Sequence, residues 1–153
     1  MKTMDSEEAR SALGAVRDTD RRMAKRMRWP LWRHAAYGAV QALLVLAWGL
    51  PVAAMAACIV VAFGALWWII RDDRQRYGMF VSGYSSRAAQ PALWLAFAIF
   101  LAGLAVVILT GGPNTWSPLV AIVAIAVFIG ETLASLWWQK LAQDDLRVSD
   151  DAA

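Results

Sequence analysis

Five polar side chains stand inside otherwise apolar stretches of this chain, and their spacing is where chemistry could reside. Glu131 lies in "AVFIGETLASLWWQK", residues 126–140, with Ser135 four and Gln139 eight residues after it. His34 and Gln41 lie seven apart in "RHAAYGAVQ". Steps of four and seven keep side chains on one helix face, so each segment carries one polar stripe. If the two helices are neighbours, Gln41 can hydrogen-bond Glu131, and His34 can meet Ser135 or Gln139.

An ionisable group inside a membrane is a functional hypothesis by default. On one reading Glu131 is the proton- or cation-binding carboxyl of a small proton-coupled transporter, with His34 handing protons to the cytoplasm. On the other it orients helices through Gln41, within the chain or across a dimer, by a bond of about 0.6 kcal/mol. Ala126, Gly130 and Ala134 form a small-xxx-small track beside it, suited to close helix approach. Transport needs several polar positions along a path, and the outer halves of these segments have almost none. The structural reading is therefore preferred.

Catalysis finds no support. There is one His and one Cys, with no HExxH, GxSxG, CxxC or glycine-rich phosphate loop. We assign no catalytic residue, metal or cofactor, and expect a non-enzymatic protein. Cys58 has no second cysteine to pair with and is expected to be a packing residue.

The elements that must position these groups follow from the apolar runs. Of 153 residues, 59% are hydrophobic and 18% charged, above the apolar share of soluble domains. Crossing a hydrocarbon core takes roughly 20 apolar residues. The runs predict an all-α, polytopic membrane protein with four transmembrane helices, about 31–49, 52–71, 92–110 and 119–139, in an up-down-up-down bundle. Pro30, Pro51, Pro91 and Pro118 stand at the heads of the runs, where a missing N–H costs little. Gly49 and Gly111–Gly112 stand where the first and third should stop. The first helix reads as a retained anchor rather than a cleaved signal, because a second apolar run follows it after only "GLP".

Charge sets the orientation. Nine Lys/Arg precede residue 34, four lie between 71 and 90 and two follow Trp138, while "GLP" and "GGPNTWSP" carry none. The positive-inside rule places both termini and the 72–90 loop in the cytoplasm. The expected organisation is a basic amphipathic segment over 1–29, a membrane domain over 30–138 and an acidic tail over 139–153. Within the first, residues 5–28 have the spacing of an amphipathic helix, with Asp5 and Glu8 as a capping pair. Six basic and no acidic residues occur from Arg21 to Arg33, namely Arg21, Arg22, Lys25, Arg26, Arg28 and Arg33. They can rest on anionic lipid headgroups at about 1 kcal/mol each, or dock an acidic protein partner. No motif that reads nucleic acid accompanies them.

The segments "RMRWPLWRHAAYG" and "YGMFVSGYSSR" resemble small, uncharacterised four-helix bacterial membrane proteins with an amphipathic N-terminal segment and a Trp/Pro-rich start to the first helix. That resemblance implies a multi-pass protein of the bacterial inner membrane and implies no activity. The expected role is an interaction, regulatory or scaffold subunit using its basic cytoplasmic face, possible homo-oligomerisation included. The alternative is the proton-coupled transporter built on Glu131.

Overall fold

The computed structural model describes residues 11, 14–15, 29–77, 88–111 and 115–151, with backbone alone at 76–77 and 146–151. Its described segments form four helices: α1 Leu31–Trp48, α2 Val52–Tyr77, α3 Gln90–Thr110 and α4 Pro118–Asp151. The expected N-terminal amphipathic helix falls outside the described residues except Ser11, Gly14 and Ala15, which are helical. One boundary differs from expectation. Helix α2 runs on through "RDDRQRY" by the turn or two that the start of the middle loop can add before Gly78, but α4 carries the acidic tail to Asp151 as helix. Neither stretch holds a Gly or Pro, so nothing in it stops a helix.

Three of the four, α2, α3 and α4, are long and apolar enough to cross a membrane. Helix α1 is the least suited to lipid, since its 18 residues include Arg33, His34 and Gln41. It is also the helix that touches all the others. Its largest interface is with α4, its next with α2 and its smallest with α3, while α3 also packs on α4. Helix α2 rests mainly on α1 and leaves Val60, Phe63, Trp67 and Trp68 exposed. The polar helix occupies the centre and the apolar ones face outward.

Side-chain contacts give the register. Trp32 meets Trp68 across the short turn at Gly49–Pro51, so α1 and α2 are antiparallel. Gly38 faces Phe128 and Thr132, and Gly49 faces Val120, so α1 and α4 are antiparallel too. Gly103 faces Val127, and Ile99 faces Gly130, which sets α3 against α4 in the same sense.

Lipid tails are as apolar as leucine, so such helices associate through close packing more than through a hydrophobic driving force. At one end Val45, Val107, Val120 and Val127 interlock. At the other, Ala89, Ala92 and Ala142 leave room for Trp138. Trp138 is 7% exposed and Trp137 41%, so of these two adjacent tryptophans only Trp137 faces outward.

The closest backbone approach is at Gly38. A Cβ there would overlap Thr132 Oγ1 and come within 2.7 Å of the Phe128 carbonyl oxygen. Fixed backbone cannot yield to it, so Gly38→Ala should cost about 1–3 kcal/mol and lower the thermal unfolding midpoint in detergent. Gly64→Ala meets open space and should stay within about 0.5 kcal/mol of wild type. Equal midpoints for the two variants would exclude the α1–α4 contact described.

Candidate functional site

The polar groups converge at the end of the bundle marked by Trp29 and Trp138. Pro30 is extended and starts α1, and its carbonyl accepts the Arg33 N–H at 3.0 Å. This turn directs Arg33 inward. Its guanidinium forms an ion pair with Asp73 of α2, and both side chains are 4% exposed. The guanidinium also lies over the Trp29 ring, 3.5 Å from its centroid. Trp29 in turn stacks on Trp138 at 5.3 Å with the rings 12° apart. One cation thus ties α1 to α2 by charge and to α4 through two indoles.

The ion pair has a simple geometric origin. The Trp32–Trp68 register leaves Asp73 about six residues, or roughly 9 Å, beyond the level of Arg33. Helical side chains lean toward the N-terminus of their own helix. In an antiparallel pair these two therefore lean toward each other and close the gap. Nε and Nη1 of Arg33 are buried without hydrogen-bond partners among the described residues.

Arg33 corrects the sequence reading, which placed it among lipid- or partner-binding charges. At 3% exposure it is an internal charge, consumed by Asp73 and Trp29. Its partner Asp73 was not anticipated, because it stands in a charge run that reads as solvated surface. The other residues of that basic group, Arg21, Arg22, Lys25, Arg26 and Arg28, lie outside the described residues.

His34, next to Arg33, is fully buried. Its Nε2 lies 2.7 Å from Gln139 Oε1 and its Nδ1 lies 2.8 Å from Ser135 Oγ. An amide oxygen only accepts, so Nε2–H donates to Gln139. Nδ1 then accepts from the Ser135 hydroxyl. Both contacts allowed by the two polar stripes are formed together, with every heteroatom of the imidazole used.

Glu131 is one helical turn deeper on the same face of α4 and is 6% exposed. Its Oε1 is buried with no hydrogen-bond partner among the described residues, Gln41 included. The reason is register. Gly38 faces Phe128 and Thr132, which sets Gln41 nearer the level of Phe128 and leaves Glu131 near the level of Gly38. The Thr132 hydroxyl beside it donates to the Phe128 carbonyl at 2.7 Å.

The small-residue track divides among different neighbours. Ala126 is exposed, Ala134 is buried and Gly130 lies beneath Ile99 of α3, whose Cγ2 would be 3.1 Å from an added Cβ. It therefore does not present a continuous free face for a second copy. The residue that brings a backbone close to Glu131 is Gly38, which sequence spacing places only in the vicinity of the stripe. Cys58 is half-buried and forms no disulfide. Among the described residues no three His, Cys, Asp or Glu gather as a metal site would need.

Comparison with protein-family models, with curated proteins and with solved structures gives no match to this chain.

Removing one partner of a buried ion pair leaves an uncompensated charge, at about 3–5 kcal/mol, whereas replacing both by apolar residues is often neutral. Arg33→Met and Asp73→Leu should each destabilise the protein sharply in detergent unfolding. The double variant should recover most of the loss. Strictly additive losses would show that the pair does not operate as a unit.

Proposed function

We propose that this is a non-enzymatic protein of the bacterial inner membrane that crosses the bilayer four times and presents the basic segment 21–28 to an acidic protein partner at the cytoplasmic surface. The basic charges and both termini then share the cytoplasmic side. Helix α1 counts as the fourth crossing for two reasons. Its 18 residues extend about 27 Å, close to the hydrocarbon thickness. Its first turn also reaches the same level as the ends of its neighbours' apolar runs, through Trp32 on Trp68 and Trp29 on Trp138.

The observation that carries the scaffold reading is the fate of the polar side chains. Arg33 and Asp73 neutralise each other, and His34 is saturated by Ser135 and Gln139. The opposite half is filled by Val45, Val107, Val120 and Val127. A solute path needs a chain of polar groups on both sides of the midplane, and beyond Gln41 the described residues of the Val120 half offer only the buried indole N–H of Trp48. Transport through Glu131 keeps one observation in its favour, the unpartnered Oε1.

Two measurements test this. In a Cys58→Ser background, single cysteines at Lys2 and Asp150 should react only from the cytoplasmic side, and one at Thr115 only from outside. A reversed or mixed pattern would exclude the topology. Cross-linking in native membranes should recover a defined acidic protein that the Arg21, Arg22, Lys25 and Arg26 to Gln variant loses. At about 1 kcal/mol per charge, that variant should bind some hundredfold or more weakly. Undiminished cross-linking, or proton flux by wild type in proteoliposomes that Glu131→Gln abolishes, would overturn the scaffold reading.

A further inference from the structure

Glu131 is a buried acid that the scaffold reading leaves without employment. A carboxyl oxygen held away from water needs a hydrogen bond, a counter-charge or a proton. Oε1 has no hydrogen bond among the described residues. The charges around it are otherwise engaged. On α1, Arg33 is paired with Asp73 of α2, Tyr37 lies 5.9 Å from that same guanidinium, and His34 is bound to Ser135 and Gln139. Helix α3 has no ionisable residue. On α4 itself the nearest cation is Lys140, nine positions along and exposed.

The environment differs in the two directions along the bundle. Toward Val120 come the Gln41 amide and then the valine cluster with the buried Trp48 indole, neither of which takes up a proton near neutral pH, and Gly38 is sealed against Thr132 and Phe128. Toward Trp138 the next groups on the same face are Ser135, His34 and Gln139, already joined by hydrogen bonds of 2.8 and 2.7 Å. We infer that Glu131 is a proton-binding site in exchange with the Trp138 end of the bundle alone, through Ser135, His34 and Gln139. Only the name of that side, cytoplasmic, rests on the topology proposed above.

The transfer balances atom by atom. Ser135 Oγ–H donates to His34 Nδ1 in the neutral arrangement. The Glu131 acid proton passes to Ser135 Oγ as the hydroxyl proton passes to Nδ1, leaving a carboxylate, an intact serine and an imidazolium. The rise between Glu131 and Ser135, four residues apart, is about 6 Å, a gap one water molecule bridges. Because His34 is fully buried, the imidazolium releases its Nε2 proton to water that reaches it past Gln139 as the Trp138 end opens transiently. Tautomer exchange restores the starting imidazole, and the reverse sequence reloads Glu131. The valine cluster provides no continuation, so the site exchanges protons without conducting them.

Infrared difference spectroscopy on sealed, uniformly oriented proteoliposomes tests this directly. Wild type should show a protonated-carboxyl C=O band that is lost in Glu131→Gln and retained, shifted, in Glu131→Asp. Its intensity should follow pH steps applied at the Trp138 end and ignore steps at the Val120 end. His34→Ala should keep the band and slow its response roughly a hundredfold, the size expected for losing a positioned acid–base group. Circular dichroism and elution volume identify any variant that has lost its fold, and Glu131→Asp then carries the test alone. A missing Glu131 band, a response to pH at the Val120 end, or an unchanged rate in His34→Ala would each overturn the inference. Reversed cysteine labelling would rename the side and leave the site intact.

Discussion

The structure depends on one constraint: the polar groups of α1 must be satisfied by other helices. Arg33 and His34 follow each other near its start, and a helix places neighbours about 100° apart. They cannot share a partner helix. Arg33 turns to α2 and His34 to α4, and these two demands put α1 between them. The centrality of the least apolar helix is thus a consequence of adjacent side chains pointing different ways. The long apolar helices are then free to expose Val60, Phe63, Ile122, Ile125 and Leu133, the residues best suited to hydrocarbon.

The energetics of the two halves differ in kind. At the Val120 end, branched side chains fit together and their individual contributions are small dispersion contacts. At the Trp138 end, a few directional interactions of larger consequence hold the helices: an ion pair shielded by indoles and a doubly bonded imidazole. Loss of one valine methyl leaves a small void. Loss of one polar partner leaves a buried donor or charge exposed to nothing, which is far more costly. The Trp138 end therefore tolerates less change, although its side chains have the same one-letter names as ordinary surface residues.

What was legible in the sequence tracks this difference. Helix positions emerged from apolar length and from Pro and Gly punctuation, signals that depend on the chain alone. The His34 contacts with Ser135 and Gln139 were readable because i, i+4, i+8 spacing fixes a face. The Gln41 contact was not, because it requires a register between two helices, and that is set by Gly38 seating against Phe128 and Thr132. Arg33 and Asp73 escaped for a related reason. A charge that enforces topology and a charge buried in an ion pair look identical until the partner helix is in place. Likewise the track Ala126, Gly130 and Ala134 announces close approach without saying which neighbour arrives, and at Gly130 it is Ile99 of α3.

The distance along the chain between His34 and its partners has a consequence for synthesis. Ser135 and Gln139 follow it by 101 and 105 residues, in the middle of α4. At roughly 5–20 residues per second, α1 and α2 emerge about 3–12 s before α4 can accept the imidazole. Throughout that interval α1 has its ion pair to α2 and an unmet hydrogen-bonding ring on its opposite face. The first hairpin can thus pair Arg33 with Asp73 before the partners of His34 have been made. Synthesis of α4 past Gln139, rather than completion of α1 and α2, supplies the last of these contacts.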